Sequence, residues 1–103
     1  MARTRIAING FGRIGRTFFR VAHSNPDIEI VAINDLSPLP ILFHALQHDS
    51  VYRRFPRSLL YNPANNEIIC PDQHAKLFSE RDPGKLPWKE LEIDIVVDAS
   101  GIF

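Results

Sequence analysis

Six residues near the N-terminus have the types and spacing that hold a phosphate anion. They are Gly10, Phe11, Gly12, Arg13, Ile14 and Gly15, in the order G-x-G-x-x-G. In that pattern the first glycine turns the chain tightly after a strand. The second has no Cβ, so the backbone can approach a phosphate, and the third lets a helix pack close to the strand. The N–H groups of the helix's first turn have no partner inside the helix and point at the anion. The chemistry this suits is the binding of a dinucleotide through its pyrophosphate. A carboxylate, Asp35, stands 20 residues beyond Gly15. An acid at the tip of the second strand of such a unit accepts hydrogen bonds from the adenosine ribose diol.

Two other readings fit parts of this segment. A glycine turn could join strand to helix in an unrelated α/β protein, with Asp35 capping a helix. Gly10-x4-Gly15-Arg16-Thr17 also comes near the P-loop pattern G-x-x-x-x-G-K-[ST]. There Arg16 replaces the lysine whose compact ammonium reaches between phosphates, and Asp35 is left without a role. Arg13, Arg16 and Arg20 share one face of the following helix. Cations in a first turn oppose the helix dipole. A bound pyrophosphate relieves that conflict at Arg13, whereas Arg16 and Arg20 read as a solvated basic face.

Elements in the right order position these groups. Ile6-Ala7-Ile8 is a short apolar strand run directly before Gly10. The helix after the glycines places Ile14, Phe18, Val21 and Ala22 on one apolar face. A second strand, Ile28 to Ile33, ends at Asn34-Asp35. Ser37-Pro38-Leu39-Pro40 opens a second helix with Leu39, Leu42, Phe43 and Leu46 as its apolar face. Leu59-Leu60-Tyr61 and Glu67-Ile68-Ile69-Cys70 flank an Asn/Pro-rich turn and read as a hairpin. Lys76 to Ser79 is a short strand, Arg81-Asp82-Pro83-Gly84 a turn, and Leu86 to Leu91 a helical turn around Trp88. Ile93 to Ala99 is apolar enough for a central parallel strand. The expected fold is α/β, a Rossmann-type, mostly parallel sheet of order 3-2-1-4 with an inserted short β-hairpin. Ile93–Ala99 would lie beside Arg5–Asn9, and helices would cover both faces.

Composition narrows the function classes. The 103 residues suffice for one small domain with its own core. Net charge is zero, with +4 on residues 1–57 and −4 on 58–103, too mild a split to mark a nucleic-acid surface. No apolar run approaches the ~20 residues of a membrane span, and the N-terminal strand is too short for a signal peptide core. These features predict a cytoplasmic chain without nucleic-acid or membrane partners. One cysteine, Cys70, allows neither an intramolecular disulfide nor a zinc cluster. His44 and His48 have metal-ligand spacing, but no third ligand stands nearby in sequence, so they read as ordinary surface residues.

Four ordered blocks carry a resemblance. Ile8-Asn9-Gly10-Phe11-Gly12-Arg13-Ile14-Gly15-Arg16, Val31-Ala32-Ile33-Asn34-Asp35, Glu80-Arg81-Asp82-Pro83 and Val97-Asp98-Ala99-Ser100-Gly101-Ile102-Phe103 resemble the N-terminus of glyceraldehyde-3-phosphate dehydrogenase. The resemblance implies an oxidoreductase that oxidises an aldehyde through a cysteine thioester, with hydride transfer to NAD, in glycolysis. It implies that residues 1–103 are an incomplete N-terminal NAD-binding domain, with the catalytic domain absent from the chain. By position, Asn9, Gly10, Phe11 and Gly12 form the cofactor turn. Arg13 and Ile14 become pyrophosphate contacts, Asp35 the ribose ligand and Arg81 a neighbour of the adenine. Ser100 and Gly101 lie near the middle of the cofactor. The family's nucleophilic cysteine sits in an S-C-T-T-N setting, which Cys70 does not match, so the chain alone is expected to be inactive and Cys70 structural. Tyr52 and Arg53 replace the family's usual histidine and glycine. The alternatives are the related erythrose-4-phosphate dehydrogenase, which commonly has glutamate at the position of Asp35, and a stand-alone nucleotide-binding module. A third is an RNA-binding piece using the arginine face. A sugar phosphate would be a substrate only of the full-length parent. The open apolar edge of the last strand predicts a homo-oligomer.

Overall fold

The computed structural model describes residues 3–22, 25–47, 60–62, 64–70 and 73–99. In chain order the elements are β1 (Thr4–Asn9), α1 (Arg13–Ala22), β2 (Ile28–Asn34), α2 (Leu39–Gln47), β3 (Leu60–Asn62), β4 (Glu67–Cys70) and β5 (Gln73–Phe78). A 3-10 turn (Pro83–Lys85) and β6 (Ile95–Asp98) follow. The six strands form one sheet, ordered β3-β4-β5-β2-β1-β6. β5, β2, β1 and β6 run parallel, and this is the expected 3-2-1-4 core. It differs in one detail. The inserted hairpin β3–β4 is present, and it extends the same sheet antiparallel beyond β5, a pairing the order 3-2-1-4 did not include.

The central strands owe their place to their side chains. Ile6, Ala7, Ile8, Ile30, Ala32 and Ile33 are all buried, as suits strands covered on both sides. Ile6 and Ile8 cluster with Phe19 and Ala22 of α1, Leu42 of α2, Ile68 of β4 and Leu77 of β5. Both helices therefore pack into one core on one face of the sheet. Both crossovers, β1 to β2 and β2 to β5, step along the sheet in the same direction. Right-handed connection then puts them on the same side. Among the described residues both α-helices thus lie on one face, where helices on both faces were expected. Side chains alternate along a strand. Leu77 joins the helix-side core, while Phe78 meets Trp88 edge-on at 6.0 Å. No α-helix but the turn around Trp88, after the 3-10 turn Pro83–Lys85, meets that second face among the described residues.

α1 sits about one position away from the face read from the sequence. Its buried residues are Gly15, Phe19 and Ala22, while Ile14 and Val21 are each 73% exposed. The contact with Gly10 sets the rotation. A Cβ on Gly15 would overlap the Gly10 carbonyl oxygen and press on Ile8, so Gly15 must face the strand. Phe19 and Ala22 follow it at helical spacing and Phe19 meets Phe11 edge-on, with centroids 5.9 Å apart.

At the far end of the sheet Arg5 ties three segments together. Its backbone N–H donates to Asp94 Oδ2 (2.9 Å), its Nε to the Leu91 carbonyl (3.0 Å) and a terminal nitrogen to Glu29 Oε1 (3.3 Å). These bonds anchor the approach to β6. That strand is shorter than expected, Ile95–Asp98 rather than 93–99, and its Ile95 and Val96 are exposed. The hairpin turn holds Asn66 at φ 52°, a conformation asparagine tolerates. Tyr52, Arg53 and His48 lie outside the described residues.

Candidate functional site

The parallel strands β1, β2 and β5 all end at one rim, where their exit turns meet. Gly10 follows β1 with φ 96°, a left-handed conformation that side chains resist. Its N–H donates to the Asn34 carbonyl at 2.7 Å, which carries the β1–β2 pairing one step past the strand. The chain then turns through Phe11 and Gly12 into α1, and the Gly12 carbonyl accepts from Arg16 N–H at 2.9 Å. A Cβ on Gly12 would meet nothing within 4 Å. The two glycines thus do different work. Gly15 admits the strand, and Gly12 leaves open space before the helix N-terminus.

Asp35 joins this turn to the next. Its Oδ2 accepts from Phe11 N–H at 2.7 Å and its Oδ1 from Ser37 N–H at 2.9 Å. Asp35 does not cap α2, because the N–H it holds there is that of Ser37, before the helix begins at Leu39. The carboxylate braces the glycine turn across the strand ends. A carboxylate has about four lone-pair sites, so two backbone donors leave room for a ribose diol.

Asn9, Gly10, Asn34, Asp35, Leu36, Glu80 and Arg81 line a cleft of about 230 Å³ at this rim. That is below the ~300–1,000 Å³ of a pocket enclosing a whole drug-sized ligand, and suits one end of a dinucleotide. Of the residues expected from sequence, the cleft gathers Asn9, Gly10, Asp35 and Arg81. Gly12, Arg13 and Ile14 are exposed beside it at the start of α1. Phe11 contributes backbone only, for its ring is buried in the core. Ser100 and Gly101 lie outside the described residues. Arg16 is not a free surface cation, since it donates to the Phe11 carbonyl at 3.1 Å and so steadies the turn.

Sequence reasoning passed over Asn34, Leu36 and Glu80 as lining residues. Asn34 carried a signal, as an amide closing an otherwise apolar strand. Leu36 and Glu80 simply flank residues already singled out. An open backbone approach at Gly12, a helix N-terminus and a carboxylate beside a cleft together fit a dinucleotide. Among the described residues no three His, Cys, Asp or Glu side chains cluster as metal ligands, and no helix is long and apolar enough to cross a membrane.

Known proteins share this arrangement in sequence. Residues 4–103 match the family described as glyceraldehyde 3-phosphate dehydrogenase, NAD binding domain. Glyceraldehyde-3-phosphate dehydrogenase of Thermotoga maritima is 48% identical over 101 residues, covering 96% of this chain and 30% of that protein. Glyceraldehyde-3-phosphate dehydrogenase 1 of Streptomyces arenae is 48% identical over 100 residues, covering 96% of this chain and 29% of that protein. The Geobacillus stearothermophilus enzyme is 44% identical over 99 residues, with coverage of 96% and 29%. The chain thus spans about 30% of the length of these relatives. The chain belongs to the glyceraldehyde-3-phosphate dehydrogenase family, and what it contains is that family's NAD-binding domain.

Proposed function

We propose that residues 1–103 supply the NAD-holding part of a phosphorylating aldehyde oxidoreductase acting on glyceraldehyde 3-phosphate. When bound, NAD supplies the hydride acceptor. The chain's own residues hold and orient it. The cleft between the Asp35 and Glu80 turns would take the adenosine end, with Asp35 accepting from the ribose diol and Arg81 at the adenine. Gly12, Arg13 and Ile14 would hold the pyrophosphate at the start of α1, and Ser100 and Gly101 would lie further along the cofactor. The observation that carries this reading is one shared rim. The Asp35 carboxylate and the open approach at Gly12 are joined through the Phe11 N–H at 2.7 Å.

The aldehyde chemistry belongs to parts of the protein outside residues 1–103, because covalent aldehyde oxidation needs a nucleophile and a base together. Cys70 ends β4, its backbone paired with Gln73, at a hairpin rather than at the cofactor rim. Asp35 in place of glutamate favours the glyceraldehyde enzyme over the erythrose-4-phosphate one. We place the protein in the cytoplasm and, in its assembled form, in a homo-oligomer.

Calorimetric titration with NAD and NADP tests the reading. NAD should bind more tightly, since the Asp35 carboxylate repels a 2′-phosphate and Leu36 beside it offers no positive charge. Equal affinity for the two cofactors would remove Asp35 from the ribose site.

A further inference from the structure

Asn34 is buried to 5% exposure, and it is the buried polar side chain of the core among the described residues. It sits at the end of β2, after Ile30, Val31, Ala32 and Ile33, where an aliphatic residue would cost nothing in desolvation. Its amide is instead held by three hydrogen bonds. Nδ2 donates to Asn9 Oδ1 at 2.9 Å and to the Glu80 carbonyl at 3.0 Å, and Oδ1 accepts from Glu80 N–H at 2.9 Å. The side chain thus pairs with both backbone groups of one residue, as a neighbouring strand would.

That pairing falls where the main chain stops providing it. The last β2–β5 backbone bond is from Asp35 N–H to the Phe78 carbonyl, at 3.0 Å. Beyond it, Glu80 and Arg81 form one wall of the cleft. Asn34 fixes both the position and the rotation of the Glu80 peptide, and so sets where Arg81 begins. Its second Nδ2 bond ties the same amide to Asn9 on the opposite wall. Aspartate would supply no donor and leucine neither donor nor acceptor. A wall held in place before the ligand arrives need not be ordered on binding, which saves affinity.

We infer that Asn34 is a positioning residue for the adenosine end of the cleft, acting through the Glu80–Arg81 backbone. This rests on the cofactor reading proposed above. The test titrates NAD and ADP into the intact protein and its Asn34→Ala and Asn34→Asp variants, with amide exchange at Glu80 followed in parallel. Asn34→Ala should weaken both nucleotides about tenfold or more and expose the Glu80 amide, since it leaves buried backbone groups unpaired. Asn34→Asp should bind as weakly at about pH 8, where the new carboxylate has no donor. Burial and the adjacent Asp35 carboxylate favour the protonated form of the introduced carboxyl, so acidification restores one donor. Affinity should then recover relative to wild type at the same pH.

A wild type that binds neither nucleotide would overturn the cofactor reading itself. A binding wild type with both variants within about twofold of it would overturn only the role of Asn34. Weak binding with the Glu80 amide still protected would overturn that role too. If Asn34→Ala does not fold, Asn34→Asp decides, and absence of recovery on acidification counts against the proposal.

Discussion

Gly12 and Gly15 lie three residues apart and should respond oppositely to the same added methyl. At Gly15 it overlaps the carbonyl of Gly10, a residue whose own N–H is tied to the Asn34 carbonyl at 2.7 Å. Gly15→Ala should therefore destabilise the fold by about 1–3 kcal/mol, the scale of overpacking, seen as a lower denaturation midpoint. At Gly12 the methyl enters open space, so Gly12→Ala should cost under about 1 kcal/mol of stability as a poorer helix cap. It should nonetheless weaken NAD binding, because it fills the approach to the helix N-terminus. Unchanged affinity in Gly12→Ala would place the pyrophosphate elsewhere. Asp35 carries two duties, and its variants separate them. Asp35→Ala removes the acceptors for Phe11 and Ser37 together with the charge. It should weaken NAD by about 1–3 kcal/mol, as for lost bonds to a charged group. Asp35→Asn keeps an acceptor for one of those backbone donors, so it should disturb the fold less than Asp35→Ala in parallel thermal melts.

α1 shows what periodicity alone leaves open. Ile14, Phe18, Val21 and Ala22 satisfy helical spacing, yet the buried stripe is Gly15, Phe19 and Ala22. Two apolar stripes compete on this helix, and a contact with a distant strand chooses between them. Phe19→Ala should cost about 3–5 kcal/mol as a large core truncation, whereas Val21→Ala should stay within about 0.5 kcal/mol. Equal costs in chemical denaturation would restore the other face. The glycine turn, the parallel strands and Asp35 were legible because each depends on local residue types at fixed spacing. Leu36 and Glu80 were not, because they reach the cleft only through the meeting of two turns 44 residues apart in sequence. The clamp of Asn34 on Glu80 spans 46 residues and no local pattern announces it. The sheet's second face departs from the expectation in another way. At Trp88 the described cover is the short helical turn read at Leu86 to Leu91, closed by Leu91 N–H on the Pro87 carbonyl, rather than a longer helix.

The sheet as a unit gathers β1, β2 and β5 at one rim and leaves β6 at its edge. Ile95 and Val96 on β6 are exposed, and an apolar edge strand is a template for pairing. Residues 1–103 prepared alone should therefore sediment as more than a monomer at micromolar concentration, and Ile95→Lys should shift them toward monomer. Monomer in both cases would remove β6 from any interface. The rim itself is best examined by following backbone amide resonances as NAD is added. Shifts should concentrate at Asn9 to Ile14, at Asp35 and Leu36, and at Glu80 and Arg81, leaving β3 and β4 unmoved. Saturable shifts confined to the β3–β4 end of the sheet, or none at all at the glycine turn, would contradict an NAD site at this rim.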